Sequence, residues 1–250
     1  AVVVACGGGG GGGNFAGIDR LGVTNGTITG FGSVFVNGVE YSTTGTTFSI
    51  DDAPGTQDNL QVGQQVTVQW SSSSAGGVRT AVDVFYDDTV EGPITTGSID
   101  TVTQSFVVLG QTVVVDADTS FASPLFDLES LADGDFVEVS GLLANPAGGA
   151  VVRATRIERK AAGEIEIRGV VSNRTTNTLN INAQVVNTAT AVIDAPGGVI
   201  SNGDFVEAKG TFLNGSNELV ATRVELEDGD DEIGSVADEA EVEGYVTPFT

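Results

Sequence analysis

Apolar and polar residues alternate in short runs along most of the chain, which is the pattern of β-strands with one buried face. Residues 105–109 and 111–115 form two such runs, and the glycine between them predicts a hairpin. Residues 136–140 alternate in the same way. In the irregular stretch between residues 115 and 136, Leu128 and Leu131 are spaced for a short helical turn. About five strands recur in roughly 70 residues, which predicts a small closed β-barrel.

Whole blocks of sequence return three times in the same order. Residues 60–70, 131–141 and 200–210 align with one another, and their turn glycines lie 71 and 69 residues apart. Such recurrence indicates tandem copies of one domain. We therefore predict an all-β protein of three small OB-like Greek-key barrels, with small β-sandwiches as the alternative. The predicted parts are residues 1–23 (signal remnant and tether), 24–88, 89–160 and 161–228 (three repeats), and 229–250 (acidic linker and incomplete fourth repeat).

Four blocks of the sequence carry a resemblance to a known family. Residues 31–41, 107–116, 134–141 and 154–158 resemble the repeat motifs of a bacterial domain-of-unknown-function family, the one numbered 5666. The similarity covers residues 24–246. The resemblance implies exported tandem β-barrels, often lipoproteins, with no established activity.

Small apolar residues precede the single cysteine, Cys6, and seven glycines follow it. This order is similar to the end of a bacterial lipoprotein signal, in which the cysteine becomes acylated. The glycine run would then be a flexible tether between the lipid and the first barrel. The alternative is a short buried strand with an ordinary free cysteine. We expect an exported protein, attached to the outer membrane or extracellular in a bacterium.

Acidic residues outnumber basic ones by 34 to 10, which gives a formal net charge of −24. A surface of this charge repels nucleic acid and anionic lipid headgroups, because both are bound through lysine and arginine. We therefore expect no nucleic-acid partner, and a membrane contact only through an N-terminal lipid. Cations, neutral glycans and further copies of the chain remain compatible partners.

The chain contains no histidine, so histidine-based triads and imidazole-ligated metal sites are excluded. A serine–lysine pair would need Lys160 or Lys209, which we expect at solvated strand ends. Two carboxylates facing across a groove could hydrolyse a glycoside, but small repeated barrels leave little depth for a substrate cleft. We therefore predict a protein that is not an enzyme and that needs no cofactor.

One acidic run merits comparison with a calcium loop. Asp228, Asp230 and Glu232 begin like an EF-hand, whose carboxylate oxygens suit this hard cation. Ile233 stands where that loop requires glycine, and no flanking helices are expected. A solvated, self-repelling linker explains the same residues. The acidic pair at residues 51–52 is explained by turn formation.

Aromatic side chains in the first repeat are the candidates for contact with a ligand such as a glycan. Trp70 stands where the other repeats have Gly141 and Gly210, so the shared fold does not require it. Tyr41 and Tyr86 are the accompanying candidates. Core packing is the competing explanation, since alternation already places many aromatic residues inward.

Residues 239–246 repeat the opening strand of a unit, with no remainder of that unit after them. Either the protein continues beyond the sequence, or the strand pairs with a neighbouring molecule, because an unpaired strand is an association site. The residues that such an exchange would use are Val242, Gly244, Tyr245 and Val246.

These features together predict a non-enzymatic, lipid-anchored tandem-repeat protein with a structural or adhesive role at the cell surface. One alternative is a subunit of an extracellular filament assembled by β-strand exchange. Another is a glycan-binding or calcium-binding module.

Overall fold

The computed structural model describes residues 20–72, 79–144, 151–227 and 239–242. In these ranges the chain is all-β apart from three short 3₁₀ turns, as the alternation predicts. One of these turns, Leu128–Ser130, stands where the leucine spacing indicates helical structure. None of the helical segments in the described ranges has the length and apolar character that a membrane span needs.

The described residues form twenty strands, numbered here in chain order. Barrel 1 comprises β1 (Arg20–Phe31), β2 (Val34–Val36), β3 (Val39–Ser42), β4 (Thr47–Ile50), β5 (Ala53–Pro54), β6 (Gln65–Ser72) and β7 (Arg79–Tyr86). Barrel 2 comprises β8 (Val90–Pro93), β9 (Ser105–Val108), β10 (Gln111–Val114), β11 (Ser120–Phe121), β12 (Phe136–Ala144) and β13 (Val151–Arg159). Barrel 3 comprises β14 (Ile165–Ser172), β15 (Thr178–Ile181), β16 (Gln184–Asn187), β17 (Val192–Asp194), β18 (Phe205–Leu213) and β19 (Leu219–Leu226), and β20 (Glu239–Val242) follows it.

Each barrel is a closed ring of five strands. In barrel 1 the ring runs β1-β2-β3-β7-β6 and returns to β1, with β3 and β7 parallel and the other neighbours antiparallel. Barrel 3 repeats the ring as β14-β15-β16-β19-β18. Barrel 2 repeats it as β8-β9-β10-β13-β12, and a single bridge between Ile94 and Val108 joins its first two strands. Closed rings favour the barrel over the sandwich alternative, while the OB-like comparison stays a prediction.

The three rings share a backbone irregularity that explains part of the repeat. The register shifts between Gln69 and Trp70 in barrel 1, and at the equivalent steps before Gly141 and Gly210 in the other two. A Cβ atom on Gly141 would lie 2.5 Å from the carbonyl oxygen of Arg153, so this bulge leaves no room for a side chain. Barrel 1 accommodates tryptophan at the same bulge.

Apolar residues at alternate strand positions fill the barrels. Val34, Val36 and Val68 are wholly buried in barrel 1, and burial of such a side chain contributes about 1.5–3 kcal/mol to folding. Barrel 1 has its own hydrophobic cluster, but the buried residues of barrels 2 and 3 form one contiguous cluster. The repeats are therefore not fully self-contained modules.

The barrels also pair and pack against one another. The opening strands β8 and β14 are antiparallel neighbours, with Glu91 opposite Glu166. Barrel 1 contacts barrel 2 through the Gln65 N–H, which donates to Ser140 Oγ at 2.8 Å. It contacts barrel 3 through Asp52, whose carboxylate accepts from Lys209 at 2.8 Å. Three barrels thus meet around one junction.

Strand β20 lies beside the opening strand of barrel 1, in the same chain. The pairing is parallel, and Val242 is opposite Asn25. The other residues named for strand exchange, Gly244, Tyr245 and Val246, lie outside the described residues. Within this chain the strand extends the edge of β1, in the way that β8 and β14 extend each other.

Candidate functional site

The aromatic candidates of barrel 1 are buried, so the expectation that they form an exposed contact surface is wrong. Trp70 and Tyr86 are 2% exposed and Tyr41 is fully buried. The Trp70 indole N–H donates to Thr24 Oγ1 at 3.1 Å, and the Arg79 guanidinium lies 4.4 Å from the indole centroid. Trp70 fits because its neighbour on β1 is a glycine: a Cβ on Gly22 would lie 2.2 Å from the ring. A glycan cannot stack on rings held in this way.

The residues that the sequence predicts for lipidation and for calcium binding are not described by the structure. Cys6, Asp228, Asp230 and Glu232 lie outside the described residues, so those predictions stay as they are. What the described residues contain instead is a concentration of acidic side chains at the junction of the three barrels. It consists of three groups, two of which share Asp88, and the oxygens of each group lie within 4.8 Å of one another. We name them the central triad (Asp51, Asp88, Glu166), the tyrosine triad (Asp88, Glu91, Glu138) and the lysine triad (Asp52, Glu207, Glu225).

A tight turn delivers the two aspartates of barrel 1. Asp51 and Asp52 connect β4 to β5, and both have positive φ, 48° and 61°. This conformation is typical of a two-residue hairpin turn, which aspartate tolerates better than most side chains. The Asp51 N–H donates to the Tyr86 carbonyl at 2.9 Å, which fixes the turn against β7. The turn-forming role expected for this pair is present, and it places one aspartate in each of two triads.

Glutamates on four adjacent strands form what we call the glutamate row. Glu166 on β14 is opposite Glu91 on β8, which is opposite Glu138 on β12. Glu138 is in turn opposite Glu158 on β13. Directly opposed like charges destabilise a sheet. The row therefore needs protons or cations to offset its charge.

The lysine triad contains its own cation. Lys209 Nζ lies 2.8 Å from Asp52 Oδ2, 3.0 Å from Glu207 Oε2 and 3.5 Å from Glu166 Oε2. Burial opposes the ammonium charge, but Glu166 and Glu207 outweigh that effect and raise the pKa of Lys209 above its ordinary value. The ammonium therefore stays charged and offsets this part of the junction.

The tyrosine triad is held by one phenol. The Tyr86 hydroxyl lies 2.8 Å from Asp88 Oδ1 and 2.7 Å from Glu138 Oε1, but it has only one proton to donate. Lys160 Nζ covers the other oxygen of Glu138 at 2.6 Å. Burial, followed by the charges of Glu138 and Asp51, raises the pKa of Asp88 well above its ordinary value. One contact of the phenol thus requires a protonated carboxyl or a nearby cation.

The central triad has the least compensation. Burial raises the pKa of Glu166 well above its ordinary value, and Glu207 and Asp88 add to the shift. Burial also raises the pKa of Asp51 to about 7, with Glu138 and Asp87 contributing. Glu166 Oε1 is buried and finds no hydrogen-bond partner within the part of the chain that the structure describes. An unsatisfied buried carboxylate oxygen is costly, so this atom calls for a ligand.

A cleft between barrels 1 and 2 connects the junction to solvent. Its volume is about 590 Å³, and its lining includes Asp51, Tyr86, Glu138 and Lys160. The expectation that the repeats leave little depth for a cleft is therefore wrong. The central oxygens, at 4.8 Å or less from one another, lie closer together than the roughly 5–9.5 Å between glycosidase carboxyls. The spacing suits a small ion held by several oxygens.

A family model for the domain of unknown function DUF5666 matches the chain three times in tandem, at residues 23–84, 91–158 and 168–225. The chain belongs to the DUF5666 family. A comparison with curated proteins finds no match. The three matches confirm the tandem repeats that the recurring sequence blocks predict. The family description assigns no activity, so function has to be argued from the junction.

Tyr86 is the one ligand-contact candidate from sequence that lies at the junction, and the sequence analysis assigns no binding role to the acidic residues of the three triads, although one signal was available. Glu138 and Glu207 occupy the same position in the second and third DUF5666 copies, where the first copy has Thr67. Alternation places Glu138 on the outer face of its barrel, opposite in direction to Val137 and Val139. That face is buried because a neighbouring barrel covers it. Repeated acids on an outer face thus marked an interface between copies.

Proposed function

We propose that the protein is a non-enzymatic structural module at the bacterial cell surface, exported and held there through a lipid on Cys6. The order of cysteine, glycine run and folded repeats in residues 1–23 and beyond supports the anchoring. The junction supports the structural role. There, side chains that could carry chemistry are used to join the three DUF5666 copies.

The observation that carries the proposal is that both lysines at the junction are paired with carboxylates. Lys160 is paired with Glu138, and Lys209 is paired with Asp52 and Glu207. The carboxylates around them raise both pKa values, so neither amine is available in the neutral form that a base or nucleophile requires. Because the sequence also contains no histidine, the junction favours a structural connection between the barrels over catalysis.

Calorimetry of the whole chain tests the structural role. Because the barrels share a hydrophobic cluster and an ionic junction, we expect one cooperative unfolding transition, with calorimetric and van 't Hoff enthalpies in agreement. Several separate transitions would show three independent modules and would contradict the proposal.

Metabolic labelling with a fatty-acid analogue tests the anchoring. We expect the full-length protein to be labelled in a bacterial host and the Cys6→Ser variant to be unlabelled and released. Equal fractionation of both forms would exclude the lipid anchor. The experiment is independent of the calorimetric one, because Cys6 is not one of the junction residues on which the calorimetric prediction rests.

The pairing of β20 with the edge of β1 is the basis of a second candidate, a filament subunit. A strand added to the edge of β1 by one chain can also be supplied by a neighbouring molecule. The structure has the strand in its own chain, which favours the monomeric module. Electron microscopy and size-exclusion chromatography separate the two, with and without residues 239–250. Polymers that disappear with the truncation would replace the first proposal by the second.

The glycan-binding alternative is less favoured. Its three aromatic candidates belong to the interior of barrel 1, and the exposed rings of the described residues, Phe31, Phe126 and Phe212, belong to three different barrels. A glycan array with the full chain remains its direct test, and specific hits would reinstate it.

A further inference from the structure

We propose that the central triad of Asp51, Asp88 and Glu166 binds one divalent cation of the hard, oxygen-preferring class, with Ca²⁺ as the fitting ion, where the three barrels meet. The inference goes beyond the structural role, since a rigid module could exist without any ion. It rests on distances, on one unpartnered atom, on the local charge and on access from solvent.

The distances suit a single ion. One carboxylate oxygen from each member of the triad lies within 4.8 Å of the other two. An ion placed about 2.3–2.6 Å from each oxygen, the usual Ca²⁺ distance, spans oxygens up to about 4.5–5 Å apart. The three side chains therefore need only small rotations to become ligands.

One atom points specifically to a ligand. Glu166 is 2% exposed, and its Oε2 faces Lys209 at 3.5 Å. Its other oxygen, Oε1, is buried and has no hydrogen-bond partner among the described residues. Buried polar atoms are nearly always satisfied, so this oxygen, on a carboxylate grouped with two others, favours a bound cation as its partner.

The charge distribution selects this triad over its neighbours. In the lysine triad the ammonium of Lys209 already lies among the carboxylates. In the tyrosine triad the phenol of Tyr86 and the ammonium of Lys160 contact Glu138. The central triad is approached by Lys209, at 3.5 Å from Glu166 Oε2, and by the uncharged phenol of Tyr86, at 2.8 Å from Asp88 Oδ1, so it receives less compensating charge from the described residues. A divalent ion there would also offset the adjoining glutamate row.

The donor set and the access route define the chemical class. All three donors are carboxylates, which suit Ca²⁺ and Mg²⁺, and the sequence offers no histidine to favour softer ions. Asp51 also lines the solvent-accessible cleft of about 590 Å³, whereas Asp88 and Glu166 are buried behind it. A cation would therefore reach the triad from the side of Asp51, where water can complete its coordination shell.

The site would link all three repeats. Asp51 belongs to barrel 1, Asp88 to the connection between barrels 1 and 2, and Glu166 to barrel 3. An ion bound only by the assembled junction stabilises the folded state in proportion to its free concentration. The arrangement of the barrels would then depend on the calcium of the surroundings.

Isothermal titration of the chelated full chain with CaCl₂ in constant NaCl is the primary test, with MgCl₂ as the second arm. We expect one site per chain, with a Ca²⁺ dissociation constant below about 1 mM, and a higher midpoint of thermal unfolding in Ca²⁺. No binding heat and no shift of the midpoint up to about 5 mM Ca²⁺ would overturn the proposal. The calorimetric test of one cooperative transition, run in chelator, is independent of this result.

Two neighbouring residues of one turn provide a matched pair of variants. Asp51→Asn removes a ligand, and Asp52→Asn changes the next residue, which belongs to the lysine triad. Asparagine tolerates the positive φ of both positions, so both variants should fold. We expect Asp51→Asn to weaken Ca²⁺ binding about tenfold or more, and Asp52→Asn to change it less than about threefold. Equal effects of the two variants would contradict the assignment.

Luminescence of Tb³⁺ locates the bound ion independently of the heat. The Tyr86 hydroxyl lies 2.8 Å from Asp88, so excitation of this ring should sensitise Tb³⁺ emission, and Ca²⁺ should quench it by competition. Tyr86→Phe should remove most of the sensitised emission, while Asp116→Asn with Asp118→Asn, a surface acidic pair on Arg153, should leave it intact. Emission that persists in Tyr86→Phe would place the ion elsewhere and overturn the proposal.

Discussion

The two sides of strand β14 carry charge in opposite ways. Toward β18, within barrel 3, charges of opposite sign face each other: Glu166 is opposite Lys209, and Arg168 is opposite Glu207. Toward β8, the strand of the neighbouring barrel, Glu166 is opposite Glu91. Opposite charges across a sheet stabilise it and like charges destabilise it. The contact between β14 and β18 is thus compensated, and the contact between β14 and β8, which joins two repeats, is not.

This difference indicates that the stability of the fold could be regulated at the contact between β8 and β14. A barrel that must close under all conditions supplies its own counter-charges, as Lys209 does. A contact between barrels can leave part of that compensation to protons or to an ion from solution. The following predictions separate the two kinds of contact, beginning with the largest expected effect.

Removal of the internal cation should be the most damaging change. Lys209→Met leaves Glu207 and Glu166 buried with no ammonium beside them, and uncompensated charges of this kind cost about 3–5 kcal/mol. Chemical denaturation in chelator measures the loss. Arg223→Met is the matched control, because Arg223 pairs with Asp194 and Glu225 at the surface and should cost less than about 1 kcal/mol. Equal losses would show that the compensated contact is not special.

Packing between barrels gives the next effect. Gly63 and Gly134 occupy the same turn in two repeats, with φ of 94° and 79°. A Cβ on Gly63 would lie 2.8 Å from the Thr155 carbonyl oxygen of barrel 2, whereas one on Gly134 meets nothing within 4 Å. Both alanine variants incur the cost of positive φ, about 1 kcal/mol, and Gly63→Ala should lose a further 1–2 kcal/mol, roughly. Denaturant midpoints compare them, and indistinguishable values would show a loose contact between the barrels.

Removal of a charge on the β8 side of β14 should raise the stability of the fold instead of lowering it. In chelator at neutral pH, Glu166→Gln removes one charge of the glutamate row and should stabilise the fold by about 1 kcal/mol. The matched change Glu207→Gln, in a compensated row, should destabilise it, because Glu207 accepts from Lys209. Thermal unfolding of both variants decides the matter. If both variants are destabilised, the attraction between Glu166 and Lys209 outweighs the repulsion between Glu166 and Glu91.

The barrels could be predicted from sequence, and the junction could not. Alternation and turn glycines such as Gly63 predict the strands, because each strand has to bury one face within its own repeat. The same rule assigns Glu138 to an outer, solvated face. Its burial depends on how repeats pack together, which local pattern does not encode. Trp70 shows the converse: its ring is buried because Gly22, on a strand far away in sequence, leaves space for it.

The smallest expected effect is a pH dependence of stability that comes from Glu225. Burial raises the pKa of Glu225 from its ordinary value of 4.5 to about 7. Arg223 lowers that pKa, while Asp52, Asp194 and Glu227 raise it. The folded chain therefore binds more protons at this site than the unfolded chain between about pH 4.5 and pH 7.

It follows that the contribution of Glu225 to stability is fully present below about pH 4.5 and is lost as the pH rises through about 7. The Glu225 side chain is only partly buried, so screening by solvent reduces the effect to about a few tenths of a kcal/mol. Glu225→Gln should remove this component, and the difference in unfolding free energy between wild type and variant should decline between pH 5 and pH 8 or so. Urea titrations across that range, in chelator, measure the difference. A difference that grows with pH would mean that Arg223 dominates, and that charge compensation extends to the edge of barrel 3.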